Sequence, residues 1–249
     1  MSRELRLFFT ALAFLTRIPC TRWAGSSDDD LNHAARYFPL AGVVVGLAAA
    51  AVFWLAARVF PQDIAVLASM VATLLLTGAF HEDGLSDAMD GLGGGWTHEQ
   101  VLAIMKDSRI GSYGAVALVM MLMTKYAALA HLTVAMVPAV LVAGHALSRF
   151  AAVLLIRVQE YVRETGKAKP LAQRISSGEL LVAAAFGFAP LALLPWAWCW
   201  SLLPVALVWL WFSRKLDQRL GGYTGDCLGA MQQLCEVTFY LGVLACSSI

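Results

Sequence analysis

Long stretches without a charged residue constrain this chain more than any other feature. The uncharged stretches are Tyr37–Ala57, Ile64–Phe80 and Leu180–Ser213. Residues 110–156 contain only two charges, those of Lys125 and Arg149. Because a transmembrane helix needs about 20 largely apolar residues, these stretches predict several membrane-spanning helices.

The composition excludes several classes of protein. Of the 249 residues, 59% are hydrophobic and 14% are charged, and the mean hydropathy is +0.69. A soluble domain averages about 45–50% apolar and about 25% charged residues. We therefore exclude a soluble cytoplasmic domain, a disordered chain and a nucleic-acid-binding protein. The partner that the composition predicts is the lipid bilayer.

The predicted fold is an all-α, polytopic integral membrane helix bundle with about seven transmembrane helices. Residues 110–156 are long enough for two helices with a break near His131–Pro138, and Leu180–Ser213 for two helices that turn near Pro195. Gly229–Ile249 is the last predicted span. The sequence shows no repeat and no second domain, so we expect one membrane-embedded domain. Whether it forms a homo-oligomer is left open.

The N-terminal segment Ser2–Ile18 predicts an additional helix at the membrane interface. It is apolar in its middle and basic at its ends. Thr16-Arg17-Ile18-Pro19 stands where a signal peptide would have a small-residue cleavage site. We therefore expect a retained interfacial helix.

The basic residues predict the orientation of the bundle. If seven spans alternate, the N-terminus and residues 81–109, 157–179 and 214–228 lie on one side. All Lys and Arg residues except Arg58, Lys125 and Arg149 fall on that side. Because cytoplasmic loops carry the excess of Lys and Arg, we expect this side to face the cytoplasm.

Residues 81–95 contain a regular group of aspartates. Asp83, Asp87 and Asp90 fall within about 60° of one another on a helix. Three like charges on one face repel unless a cation lies among them, and Mg²⁺ commonly binds carboxylates plus substrate phosphates. We interpret the group as a Mg²⁺ site in which Gly84 and Gly91 let a metal-bound diphosphate approach. The alternative is a solvated acidic helix face.

A basic segment precedes the third predicted span. Ser108 or Ser112 is expected to cap that helix, whose N-terminus attracts anions. Lys106 and Arg109 add positive charge suited to phosphate, and Asp107 is a candidate further ligand or base. Alone, the segment is typical of a membrane anchor. Beside three aspartates, we interpret it as the phosphate-binding half of the site.

Two further regions supply candidate phosphate-binding residues. Arg149 lies about two turns inside its span, where an ionisable residue faces a cavity or partner or extends to the membrane surface. The glycine-rich segment Gly221–Gly229 contains Thr224 and Asp226. This segment is either part of the site or a simple connection between helices.

Together these features favour an enzyme that joins an alcohol to an activated phosphate and expels a nucleotide. A prenyl transferase usually carries two separate aspartate-rich motifs, whereas this chain has one. A CDP-alcohol phosphotransferase-like membrane enzyme is an alternative. A transporter is a further one, motivated by Lys125 and Arg149 within spans, although the chain shows no inverted repeats.

Several segments resemble cobalamin synthase, the adenosylcobinamide-GDP ribazoletransferase family. The resembling segments are Phe14–Pro19, Tyr37–Gly42, His81–Gly91, Met105–Gly111 and Gly222–Ala230. They occur in the order found in the family and together cover essentially the whole chain. Glu82 stands where we expect a neutral residue, so we do not assign it to a metal.

The resemblance implies transfer of the adenosylcobinamide phosphate group from adenosylcobinamide-GDP to α-ribazole or α-ribazole 5′-phosphate. GMP is released, and adenosylcobalamin or its 5′-phosphate forms late in vitamin B12 biosynthesis. The resemblance also implies Mg²⁺ as cofactor and a multi-pass location in the bacterial inner membrane. With the site above, it implies catalytic roles for Asp83, Asp87, Asp90 and Asp107, the first three as metal ligands.

Overall fold

The computed structural model describes residues 1–163 and 175–247, and this part of the chain is helical. The helices are α1 (Arg3–Leu15), α2 (Asp28–Ala34), α3 (Phe38–Ala56), α4 (Gln62–Thr77), α5 (Phe80–Gly94), α6 (His98–Lys106), α7 (Ser112–Ala130), α8 (Val137–Val158), α9 (Ser177–Phe188), α10 (Leu202–Leu220) and α11 (Gly225–Ser247). Short 3₁₀ segments precede α2, α3 and α10 and follow α9.

Five helical segments in the described residues are long and apolar enough to cross a membrane. They are Asp28–Ala56, Ser112–Ala130, Val137–Val158, Trp196–Leu220 and Gly225–Ser247. The polytopic helix bundle is thus confirmed. The predicted breaks near His131–Pro138 and near Pro195 both separate helices, and the last predicted span is α11.

The two remaining predicted spans are helical but short. Helix α4 has 16 residues and α9 has 12, fewer than the roughly 20 that cross a hydrocarbon core about 30 Å thick. Helices α4 and α5 are long and apolar enough to cross a membrane only when taken together, and their axes differ by 86°. The described residues therefore contain five spans by length and composition, or six with the bent pair counted as one, where the sequence predicts about seven.

The bend between α4 and α5 lies at Gly78 and Ala79. Both adopt the left-handed backbone conformation, with φ of 68° and 56°, which is uncommon for a residue with a Cβ. The backbone N–H of Arg17 donates to the carbonyl of Leu76 at 2.7 Å and so ties the end of α4 to the N-terminal segment. Because α5 leaves the direction of α4, we do not count it among the five spans.

Helix α11 forms the centre of the bundle. It packs against α5, α7, α8 and α10, and most of its side chains are buried. Near its end, Gly242 packs against Ser201, which directly precedes α10. At the other end of α10, the guanidinium of Arg219 donates to the carbonyl of Gly95, which follows α5. Helices α10 and α11 therefore run in opposite directions, as the alternating order of spans predicts.

The N-terminal segment folds as predicted into a helix. Ser2 caps α1 by accepting a hydrogen bond from the N–H of Leu5, and α1 packs against α2 and α3. Its location at the membrane interface stays a prediction.

Three of the basic residues counted on the predicted cytoplasmic side, Lys167, Lys169 and Arg174, lie outside the described residues.

Candidate metal and phosphate site

The aspartate group lies on a helix, as its spacing predicts, but its three side chains have different surroundings. On α5, Asp83 is exposed, Asp87 is half-buried and Asp90 is buried. The three carboxylates therefore do not form one uniform acidic face.

Asp90 binds the start of α7. Its Oδ2 accepts a hydrogen bond from the N–H of Gly111 at 2.7 Å, and its Oδ1 accepts one from the N–H of Gly114 at 2.8 Å. The first N–H groups of a helix have no partner within the helix, and a carboxylate also suits the positive end of the helix dipole. The expectation that Ser108 or Ser112 caps α7 is therefore wrong, because Asp90 satisfies these groups from the neighbouring helix.

A close contact between α5 and α11 brings a different aspartate to the site. A Cβ on Gly84 would lie 3.0 Å from the carbonyl oxygen of Asp226 and 3.3 Å from the Cα of Gly229. Glycine at these two positions lets the helices touch backbone to backbone. As a result, Asp226 at the start of α11 lies near Asp83 and Asp87 on α5.

The electrostatics of Asp87 reflect this grouping. Burial is the largest cause, and the negative charges of Asp226 and Asp83 add to it, so that the pKa of the Asp87 carboxyl rises to about 7. Arg163 acts in the opposite direction; its guanidinium forms an ion pair with Asp226 at 2.8 Å. Like charges held together in this way are stabilised by an added cation.

The basic segment lies beside the acidic helix. Arg109 forms a two-pronged ion pair with Asp107, with the closest N–O distance 2.6 Å, and the hydrogen bonds from Arg109 lower the pKa of Asp107 to about 2. Lys106 and Ser108 are exposed. Asp107, Arg109 and Asp90 line one open groove, so the basic segment lies beside one of the three aspartates.

Four other predicted phosphate-binding residues have partners within the fold. Gly84 contacts α11, and a Cβ on Gly91 would lie 2.5 Å from the Cγ of Met105 on α6. The hydroxyl of Thr224 accepts a hydrogen bond from the N–H of Cys227, in the first turn of α11. Arg149 is 2% exposed and donates to the carbonyl of His145 at 2.9 Å. The two glycines therefore lie in helix contacts, Thr224 caps α11, and Arg149 belongs to a buried polar cluster.

Comparison with known proteins identifies the family. The family model described as cobalamin-5-phosphate synthase matches residues 7–244. The chain belongs to this family. The resemblance found in the sequence is thereby confirmed.

Curated relatives of the cobalamin-5-phosphate synthase family cover nearly the whole chain. A protein of Shewanella frigidimarina named adenosylcobinamide-GDP ribazoletransferase is 48% identical, over 98% of this chain and 95% of its own length. Proteins of the same name from Ralstonia pickettii and Shewanella oneidensis are 49% and 44% identical, over 95% and 99% of this chain and 94% and 97% of their own lengths. No solved structure gives a significant match.

Sequence reasoning missed the role of Arg163 in this member of the family. It contributed only to the count of basic residues. Tyr161 and Tyr223 form a parallel backbone bridge, which places the residues that follow α8 beside the start of α11. Because this pairing joins distant parts of the chain, no local pattern around Arg163 indicates its ion pair with Asp226.

The residues around Asp87 suit a divalent cation in their chemistry. Within residues 1–163 and 175–247, no group of three or more His, Cys, Asp or Glu side chains is already arranged to hold a metal. Asp83, Asp87 and Asp226 nevertheless supply hard oxygen donors whose mutual repulsion favours a cation. Both oxygens of Asp90 already accept backbone hydrogen bonds, so we group Asp226 with Asp83 and Asp87, and the metal-binding role of Asp90 stays a prediction.

Proposed function

We propose that this chain transfers the adenosylcobinamide phosphate group from adenosylcobinamide-GDP to α-ribazole or α-ribazole 5′-phosphate, with release of GMP. The observation that carries the proposal is the match to relatives of this name over nearly the full length of both chains. The site agrees with the chemistry, because phosphoryl transfer consists mainly of positioning the phosphates and neutralising their charge.

We further propose that Mg²⁺ binds at the acidic site during turnover. Asp83, Asp87 and Asp226 would hold it, and the ion would neutralise the diphosphate of the substrate. These carboxylates lie together because of the contact between Gly84 and Gly229. Asp90 holds the start of α7 against α5 and so positions the basic segment.

The cationic groups of the site complement the diphosphate. Lys106 and Arg109 are exposed. Arg109 lines the groove next to α5, and Arg163 lies on the α11 side. Arginine binds two phosphate oxygens at once. A diphosphate lying between these cations would break the pair between Arg109 and Asp107 and would free Asp107 to act as a base toward the attacking hydroxyl.

The proposed location is the bacterial inner membrane, with the site open to the cytoplasm. The described basic residues Lys106, Arg109, Arg214, Lys215 and Arg219 lie at the end of the bundle that carries α5. This asymmetry is typical of the cytoplasmic side.

The proposal is tested by GMP release from purified protein in lipid vesicles. Adenosylcobinamide-GDP, α-ribazole 5′-phosphate and Mg²⁺ should yield GMP, and EDTA should stop the reaction. Asp87→Asn should lower the rate at least about 100-fold without lowering the melting temperature, because it removes a charge that burial and like charges disfavour. Glu99→Gln, on the exposed face of α6, is the matched control and should retain the rate.

Two results would contradict the proposal. GMP release that survives Asn at Asp83, Asp87 and Asp226 together would exclude this metal site. Release of CMP from a CDP-linked lipid, with no GMP from adenosylcobinamide-GDP, would instead indicate a CDP-alcohol phosphotransferase.

A further inference from the structure

A buried polar cluster joins four helices beside the acidic site. Its charged members are Glu82 on α5, Lys125 on α7, Arg149 on α8 and Glu236 on α11. None of them is more than 8% exposed. Their formal charges cancel, which satisfies the need of buried charges for partners of opposite sign.

The cluster lies deep in the bundle. Lys125 and Glu236 are about 17–20 Å from the ends of α7 and α11 that adjoin the acidic helix, close to the middle of a hydrocarbon core about 30 Å thick. A charged residue at that depth is costly and usually has a function. The function proposed above assigns none to Lys125, Glu236 or Glu82.

Glu236 connects three helices at the centre of the cluster. Its Oε1 pairs with Lys125 Nζ at 2.9 Å, and its Oε2 lies 3.3 Å from His145 Nδ1. Tyr240 also donates to Oε1 at 3.2 Å. Arg149 interacts electrostatically with both Glu236 and Glu82. Helices α7 and α8 are therefore fixed against α11 by the same carboxylate.

Gln233 extends the cluster to the acidic helix. Its Oε1 accepts a hydrogen bond from Lys125 Nζ at 2.9 Å, and its Nε2 donates to Glu82 Oε1 at 2.9 Å. Glu82 directly precedes Asp83. Each residue along a helix turns the side chain by about 100°, so a shift of α5 by one residue would move Asp83 away from α11.

We propose that Gln233 and Glu82 are positioning residues of the phosphotransfer site. Their hydrogen bond fixes the rotation of α5 against α11 and thereby holds Asp83 and Asp87 beside Asp226, ready for a divalent cation. This inference rests on the proposed function and deepens it. Replacing the outer partners of metal-binding side chains generally costs about 10–100-fold in metal affinity or activity.

Exchanging the two polar side chains provides the test. Gln233→Glu removes the donor to Glu82 and places two carboxylates against each other. Glu82→Gln alone keeps an oxygen that accepts from Gln233. The double variant Glu82→Gln/Gln233→Glu restores the hydrogen bond with donor and acceptor exchanged, and it leaves the net charge of the cluster unchanged. Glu99→Gln is again the surface control.

The readouts are Mn²⁺ binding by electron paramagnetic resonance, the Mg²⁺ dependence of GMP release, and the melting temperature in detergent. Gln233→Glu should weaken Mn²⁺ binding about 10–100-fold, and the double variant should restore most of the affinity. If Gln233→Glu does not fold, Gln233→Met should show the same loss, because it removes the side-chain hydrogen bonds of Gln233 with Lys125, Glu82 and Gln232 without adding charge.

Other results would overturn the proposal. One is Mn²⁺ affinity that stays unchanged in folded Gln233→Glu and Gln233→Met, since a purely structural role would lower only the melting temperature. Another is a double variant that melts like the unaltered protein but does not regain affinity. Failure of the unaltered protein to bind Mn²⁺ would overturn both the metal site and the positioning role. Mn²⁺ binding is measured without substrate, so absent GMP release would overturn the proposed function alone.

Discussion

Asp87 and Asp90 lie about one turn apart on α5, yet their neighbours give them different roles. Asp87 has like charges around it, which raise its pKa to about 7 together with burial. Asp90 has two backbone N–H groups as partners, and these favour its charged form without a metal. At the scale of the residue, therefore, substitution of the two aspartates should have distinct effects.

We predict that Asp90→Asn destabilises the protein more than it weakens metal binding. The amide keeps one acceptor oxygen but loses the charge and one hydrogen bond to the start of α7, a loss of about 1–2 kcal/mol. The melting temperature should fall by several degrees, with little change in the Mg²⁺ concentration that half-saturates GMP release. An unchanged melting temperature together with a lost response to Mg²⁺ would make Asp90 a metal ligand, as the sequence predicts.

At the scale of the element, the contact between α5 and α11 determines which carboxylates meet. A Cβ on Gly229 would lie 3.0 Å from the carbonyl oxygen of His81 and 3.3 Å from the Cα of Gly84. These neighbours are backbone atoms, so a side-chain rotation cannot relieve the clash. A larger residue must separate the two helices.

We therefore predict that Gly229→Val lowers both GMP release and stability. Overpacking of this kind costs about 1–3 kcal/mol, and separation of the helices moves Asp226 away from Asp87. Gly178→Val is the matched control, because a Cβ on Gly178 has no atom within 4 Å among the described residues. Rate and melting temperature are measured for both variants. If the two variants had the same rate and the same melting temperature, the result would contradict a role for the contact between α5 and α11.

The elements also show which features the sequence predicts and which it does not. Gaps between charges predict the spans, and the spacing of Asp83, Asp87 and Asp90 predicts a helix, because both depend on residues close in the chain. Two features depend on how α5 packs against α7 and α11. One is the pair of hydrogen bonds that Asp90 accepts at the start of α7, and the other is the position of Asp226 near Asp83 and Asp87. The shortness of α4 follows from the left-handed turn at Gly78 and Ala79, which an uncharged stretch does not reveal.

At the scale of the whole molecule, the ends of the bundle differ in charge and carry different cysteines. The end with α5 carries the groove lined by Asp107 and Arg109. At the opposite end, Cys199 is exposed just before α10, and Cys246 is half-buried near the end of α11. The remaining cysteines, Cys20, Cys227 and Cys235, are buried. The natural cysteines that a labelling reagent can reach therefore lie only at the end of the bundle opposite α5.

We predict that a membrane-impermeant maleimide labels the unaltered protein in intact spheroplasts, mainly at Cys199. In a variant with serine at Cys199 and Cys246, a new cysteine at the exposed position Glu99 should react only after the membrane is disrupted. The reason is the excess of Lys and Arg at the α5 end, which holds that end in the cytoplasm. Labelling of this Glu99→Cys variant in intact spheroplasts would place the acidic site outside the cytoplasm, away from a cytoplasmic supply of the nucleotide-linked substrate.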